Sequence, residues 1–169
     1  MNQLLVSVLM PCYNAEQHLQ AAMMSIQNQT YQNLEIIAIN DCSSDRTSEL
    51  LHSMAKKDLR IKVYDNKENL KLIKTLNKGI ELCNGDYIAR MDSDDIALPQ
   101  RIAKEVAFLQ QNADHDIVRS LFLAFNSNNP DKKTLHHNPL KHEELKAYML
   151  FKSGICHPAV MIRKRVFTE

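Results

Sequence analysis

Residues 34–56 read L-E-I-I-A-I-N-D-C-S-S-D-R-T-S-E-L-L-H-S-M-A-K. Leu34 to Ile39 is a short, β-branched apolar run of strand length. Asn40 to Asp45 is turn and cap chemistry, and Ser44 or Asp45 is predicted to cap a helix running to about Lys56. A buried strand handed straight to a helix is half of a βαβ unit, so the question is whether its neighbours repeat it.

They do on both sides. Upstream, Leu4 to Met10 is an apolar strand stopped by Pro11, and Ala15 to Asn28 carries Leu19, Ala22, Met23 and Ile26 at helical spacing. Downstream, Ile61 to Tyr64 reads as a third strand. Leu70 to Leu82 reads as a helix with Leu72, Ile73, Leu76 and Ile80 inward, closed by Asn84-Gly85. Asp86 to Met91 is a fourth strand, and Pro99 sits near the first turn of a helix running to about Gln111. Ile117 to Ala124 is predicted as a fifth strand, and Asn126 to Pro139 as an exposed loop. A short helix from about His142 to Lys152 and a strand at Ala159 to Ile162 follow. This alternation predicts an α/β fold, a Rossmann-like, mainly parallel sheet with helices on both faces. The ending V-F-T-E, without cap or tail composition, reads as a cut rather than a natural end.

Composition narrows the partners. At 169 residues the chain can bury a proper core, and a formal charge of +1 offers no surface for nucleic acid. Cys12, Cys42, Cys83 and Cys156 form no C-x-x-C pair, so reduced thiols in the cytoplasm are the economical reading. No run is long enough to span a bilayer, and peripheral attachment to the inner face of a membrane is left open. With only three glycines there is no G-x-x-x-x-G-K-[ST] or G-x-G-x-x-G, which excludes a P-loop enzyme and a dehydrogenase of the usual kind.

Ligands of open parallel sheets bind beyond the carboxyl ends of the strands. Pro11, Tyr13 and Asn14 follow strand one, Asn40 and Asp41 follow strand two, and Asp92, Asp94 and Asp95 follow strand four. Two carboxylates about 4 Å apart repel by about 4 kcal/mol at an effective dielectric near 20, so the acidic cluster calls for water, a proton or a cation. Asp92 and Asp94 are two apart and in extended chain would face one ligand. Hard oxygen donors of this kind suit Mg²⁺ or Mn²⁺ with a substrate phosphate. The bland alternative is a helix cap with solvated neighbours, and convergence of three strand ends outweighs it.

Five stretches, V-L-M-P-C-Y-N, S-I-Q-N-Q-T-Y-Q-N-L-E-I-I, N-D-C-S-S-D-R-T, N-K-G-I-E-L-C-N-G-D-Y-I-A-R-M-D-S-D-D and I-C-H-P-A-V-M-I-R-K, occur in the order of a known family. The chain resembles the family 2 inverting glycosyltransferases of GT-A fold over essentially its whole length. The resemblance implies a nucleotide-sugar-binding part at 1–125 and the start of the acceptor-side region at 126–169. It implies that Pro11 and Tyr13 line a base pocket with Asn14 beside them, that Asp41 takes a base N–H, usually that of uracil, and that Lys71 lies near the nucleotide. Asp92 and Asp94 would be the D-x-D motif, with Asp94 the direct metal ligand, Asp92 on ribose or a metal-bound water, and Asp95 towards the donor sugar. His157 in C-H-P would be a further metal ligand, or a histidine bonded locally before Pro158.

The implied reaction is metal-dependent transfer from a nucleotide-diphosphate sugar, UDP-linked by expectation, to a hydroxyl of a glycan or lipid-linked acceptor with inversion, in bacterial cell-surface polysaccharide or lipooligosaccharide synthesis. The general base belongs downstream of the H-P segment and is expected beyond Glu169. The alternative is a donor-binding fragment or pseudoenzyme without turnover. A nucleotidyltransferase would want a glycine- and arginine-rich loop after strand one, and an aspartate-nucleophile phosphatase its D-x-D there. Asn40 and Cys42 depart from the family pattern, and Cys42 stands where glycine is common, so its Cβ should strain a φ > 0 turn.

Overall fold

A computed structural model describes residues 4–126, 129–136 and 138–167. Four parallel strands form its centre: β1 (Val6–Cys12), β2 (Leu34–Asn40), β3 (Ile61–Asp65) and β4 (Tyr87–Arg90). The helices between them are α1 (Leu19–Gln27), α2 (Thr47–Ala55) and α3 (Lys71–Leu82). After β4 come α4 (Arg101–Gln111), β5 (Ile117–Arg119), β6 (Phe122–Asn126), β7 (Asn129–His136), α5 (His142–Met149) and β8 (Val160–Arg163). The main sheet runs β3-β2-β1-β4-β8-β5, while β6 and β7 pair separately.

Period-two alternation sorts the core into two layers. Val6, Val8, Met10, Ile36, Ala38 and Ala89 pack with Leu19, Met23 and Ile26 of α1, Leu51 of α2 and Ile102, Val106 and Leu109 of α4. Leu9, Ile37, Ile39 and Ile88 face the other way, against Leu76 of α3. Full burial of each large aliphatic side chain contributes about 1.5–3 kcal/mol. Helices therefore cover both faces, with α3 alone on the face that matters below.

α3 lies close because Gly79 has no side chain: a Cβ there would come within 2.3 Å of Leu9 Cδ1 and 2.9 Å of Ile39 Cδ1. This close approach rotates the helix from its predicted facing. Thr75, Leu76 and Gly79 are buried and Ile80 is half-buried, but Leu72 and Ile73 are 48% and 75% exposed. Leu72 instead lines a cavity at the carboxyl edge of the sheet. Nor does Gly85 close the helix by a left-handed turn, since no described glycine has positive φ. Its Cβ would strike the Ser7 amide nitrogen at 2.5 Å, so it is required for close backbone approach instead.

Two further expectations are corrected. The run from Ile117 to Ala124 is not one strand. β5 ends at Arg119, where the Ser120 N–H donates to the Ala159 carbonyl (2.9 Å), and β6 leaves for the second sheet. Within Asn126 to Pro139, residues 129–136 form β7, exposed as expected at 129 and 131–136 but hydrogen-bonded to β6 with Phe122 opposite His136. Its own N-P-D-K-K-T-L-H carries no strand alternation, and the pairing comes from its partner. Residues 127, 128 and 137 lie outside the described residues.

β8 runs antiparallel to both β4 and β5, with Ala89 opposite Met161. Its beginning therefore lies beside the end of β4. The single reversed strand thus delivers the residues before Val160 to the carboxyl edge of the sheet.

Candidate nucleotide and metal site

At that edge β1 and β2 finish in register, Cys12 opposite Asn40, and the Asp41 N–H donates to the Cys12 carbonyl at 2.8 Å. The turns that follow are tightly bent. Asn14, Cys42 and Lys71, with φ of 48°, 57° and 65°, are the non-glycine residues of positive φ among the described residues, and all lie at this edge. Asparagine tolerates that region, whereas other side chains give up about 1–2 kcal/mol there. The strain expected at Cys42 is present.

Asn14 fastens the two turns together. Its N–H donates to Ser43 Oγ (3.0 Å), and its side-chain oxygen accepts from the Ser44 N–H (2.9 Å). Neither Ser44 nor Asp45 is the cap expected of them: Arg46 holds the N-cap position of α2 with no side-chain cap bond, while Asp45 accepts from the Thr47 and Glu16 amides just before the helix. Asn40 donates to Asp65 Oδ1 at 2.7 Å, and Asp65 is also held by Ser48 and His52. An aspartate at position 40 would meet Asp65 charge to charge, whereas the asparagine here donates to it.

Between these turns and α3 lies a cavity of about 270 Å³ lined by Pro11, Cys12, Tyr13, Asp41, Asn69, Lys71, Leu72, Thr75 and Asp92. Tyr13 is half-exposed on it, while Asp41 is only 4% exposed. One oxygen of Asp41 accepts from Asn66 Nδ2 and from the Leu70 N–H, both at 2.8 Å. Burial alone would raise this carboxyl, but hydrogen bonds from Asn66, Leu70 and Thr75 outweigh it and hold it below the ordinary carboxylate value. At neutral pH the cavity floor is therefore a carboxylate acceptor.

The acidic cluster does not continue the strand as expected. β4 stops at Arg90, residues 93 and 94 turn, and the Asp95 N–H reaches back to the Asp92 carbonyl at 3.4 Å. Arg90 answers part of the repulsion. Its guanidinium, buried in β4, takes both oxygens of Asp92, at 2.5 and 2.9 Å. Burial still raises Asp92 above its ordinary value against that pairing. Asp95 is raised by desolvation and by the charges of Asp92 and Asp94. Asp94 is exposed at the turn.

Behind the turn Arg101 donates to the Arg90 carbonyl (2.8 Å) and pairs with buried Glu105 (3.2 Å). His157 precedes β8 in a 3₁₀ turn, within electrostatic reach of Asp92 and Arg90. Burial and Arg90 keep its imidazole below the ordinary value, with Asp92 opposing. Among the described residues no group of three His, Cys, Asp or Glu side chains is gathered as a preformed metal cage.

The structure thus brings Pro11, Tyr13, Asp41, Lys71 and Asp92 to one cavity, with Asp94, Asp95 and His157 on the Asp92 side. It places Asn14 behind them in a tether. Sequence reasoning missed Cys12, Asn69, Leu72 and Thr75 on the lining and Asn66 beneath it. Arg90 had left a signal, a cation inside an apolar strand two positions before an acid.

Fold and edge together define the class, a GT-A domain with a cavity of about 270 Å³ beside acidic residues. The chain belongs to the glycosyl transferase family 2, whose model matches residues 7–169. It is 42% identical over 173 residues to an uncharacterized glycosyltransferase of Haemophilus influenzae, covering 98% of this chain and 53% of that protein. It is 32% identical over 168 residues to the O-antigen biosynthesis glycosyltransferase WbnJ of Escherichia coli, covering 98% and 64%. Staphylococcus aureus TarS 1–349 in complex with UDP has the same fold, with TM-score 0.79, 19% identity, and 96% and 48% coverage. So does the mannosyltransferase PcManGT of Pyrobaculum calidifontis in complex with GDP-Man and Mn²⁺, with TM-score 0.71, 15% identity, and 96% and 45% coverage. The chain spans about half the length of the first of these relatives and of both structures. No helix among the described residues is long and apolar enough to cross a membrane.

Proposed function

We propose that this chain carries the donor-binding half of a glycosyltransferase that moves a sugar from a nucleotide-diphosphate sugar, UDP-linked by preference, to an acceptor hydroxyl with inversion, in the assembly of a bacterial surface polysaccharide. The observation that carries this is the buried Asp41 carboxylate on the floor of a cavity whose rim is Tyr13 on one side and Asp92 on the other. A fixed acceptor rewards a base with a ring N–H, as in uracil and guanine, and repels the ring nitrogen lone pair of cytosine or adenine. TarS with UDP and PcManGT with GDP-Man support a donor of that kind.

The donor set fits a hard divalent cation. Exposed Asp94 offers carboxylate oxygen with open positions for water and diphosphate, while Asp92, already paired with Arg90, suits ribose or a water on the ion. Asp94 and Asp92, with His157 as the further candidate, would hold Mn²⁺ or Mg²⁺, which supplies charge neutralisation to a departing diphosphate. Asp95 lies on the donor-sugar side, and Lys71 places its ammonium near the nucleotide. Asn14 keeps the turns in place. A general base for the acceptor hydroxyl is assigned to no described residue.

Calorimetric titration of UDP, GDP and CDP, with Mn²⁺ and with EDTA, tests the reading. UDP binding that needs Mn²⁺ is expected, and binding unaffected by EDTA would remove the metal from the proposal. Asp94→Ala is expected to lose the Mn²⁺-dependent part of the affinity. Transfer from UDP-sugar to acceptor separates an enzyme from a module that binds donor without turnover.

A further inference from the structure

Neither Asn66 nor Lys78 lines the cavity, yet both bear on it. Lys78 Nζ donates to Asn66 Oδ1 at 2.6 Å, and Asn66 Nδ2 donates to Asp41 Oδ1 at 2.8 Å and to Thr75 Oγ1 at 3.3 Å. The Asn66 N–H is bound to the Asn40 carbonyl (2.9 Å), so the residue is pinned to the end of β2. We propose that Lys78 and Asn66 form a positioning relay that fixes the Asp41 carboxylate and so sets the discrimination between bases with a ring N–H and bases with a ring lone pair; this rests on the nucleotide-binding reading above.

The chemistry admits one orientation. A primary amide can turn either its oxygen or its NH₂ towards a neighbour at nearly equal volume, and only the NH₂ can satisfy a carboxylate. An ammonium donates and never accepts. Lys78 therefore takes the amide oxygen and commits the NH₂ to Asp41. The Leu70 N–H supplies the second bond to the same oxygen, so two donors from the β3–α3 connection, one side chain and one backbone, hold the carboxylate. Bonds from ammonium to amide to carboxylate polarise in one sense and reinforce each other. Asp41 would then select bases only while its acceptor direction is held. Lys78 is half-exposed on α3, so its removal leaves the core intact.

The test is a double-mutant cycle read as affinity for UDP and for CDP, both with Mn²⁺. Wild type is expected to prefer UDP. Asn66→Ala should weaken UDP about tenfold and leave CDP within about twofold, since one buried hydrogen bond to a charged group is removed. Lys78→Met should weaken UDP about threefold, acting at one remove. The double variant should match Asn66→Ala alone, because Lys78 has nothing left to act through. Effects that multiply in the double variant would mean that Lys78 acts on the ligand directly and would overturn the relay. Equal losses for UDP and CDP in Asn66→Ala would also overturn it, since they would report pocket damage rather than positioning. If Asn66→Ala does not fold, the UDP-to-CDP ratio of Lys78→Met decides: a reduced ratio supports the relay and an unchanged one overturns it. Wild type that binds neither nucleotide would fell the reading of the pocket itself, whereas wild type that prefers UDP with an unaffected Asn66→Ala fells only the relay.

Discussion

Cys42 shows how a single residue records what an edge is for. A side chain at φ 57° gives up about 1–2 kcal/mol relative to a relaxed backbone, and its thiol gains only a long contact, 3.8 Å from the Lys67 carbonyl. Glycine would remove the strain but adds chain entropy to the unfolded state, which returns part of the gain. Cys42→Gly is therefore expected to stabilise by about 0.5–1 kcal/mol, a rise of about 1–4 °C in melting temperature for a domain of this size. Differential scanning calorimetry checks it, and an unchanged or lower midpoint would contradict the strain. Lys71 carries the same conformation at the mouth of the cavity, so the two backbone distortions flank Asp41. Position 42 was legible in advance, because a glycine site occupied by another residue announces its φ. Lys71 was not, since nothing in K-L-I-K-T marks a left-handed start.

At the scale of elements, α4 holds the acidic turn in place. Arg101 binds the Arg90 carbonyl and Met91 Sδ at the end of β4 and neutralises Glu105, which is 2% exposed and also bonded to Ser120. Arg101→Met would strand that carboxylate and is expected to destabilise by about 3–5 kcal/mol in urea unfolding. Arg101→Met with Glu105→Leu should recover most of the loss, because no uncompensated buried charge remains. A double variant as weak as the single would show that Arg101 matters through its carbonyl contact instead. The strands and helices of 4–111 were readable from periodicity, since each buries its own apolar face. The facing of α3 was not, because Gly79 sets it by contact with Leu9 and Ile39. The β6–β7 pair escaped for the opposite reason, being exposed and defined by pairing alone.

For the whole molecule, titration sums over opposed groups. Glu35, Asp41, Asp58 and Asp65 lie below their ordinary values. In Glu35, Asp41 and Asp65 burial is outweighed by hydrogen bonds, and in Asp58 the Arg60 guanidinium leads. A lowered carboxyl gives stability that is complete above its unfolded value, near 4, and lost as pH falls through the folded one. Asp92, Asp95 and Glu105 are raised, mainly by burial, and favour the fold more as they become protonated. The melting temperature should therefore stay level from pH 7 to 8, ease below about pH 6.5 because His157 is held below its ordinary value, and fall further below about pH 4, with the raised carboxyls softening the onset. The preference for UDP over CDP should hold between pH 7 and 6, since hydrogen bonds keep the Asp41 carboxyl below its ordinary value. A UDP-to-CDP preference lost in that window would show that another group governs the choice of base.

The reversed strand β8 also bears on how the chain is made. β1 to β4 are complete once Arg90 has left the ribosome, but the outer edge of β4 has no partner until Val160 to Arg163 arrive. Through that interval a nascent chain presents an unpaired, largely apolar edge, the kind of surface on which strands from other molecules add. Synthesis order thus makes β4 an edge that needs shielding until β8 emerges, and a chain cut at residue 150 should scatter light at concentrations where one that includes β8 stays clear.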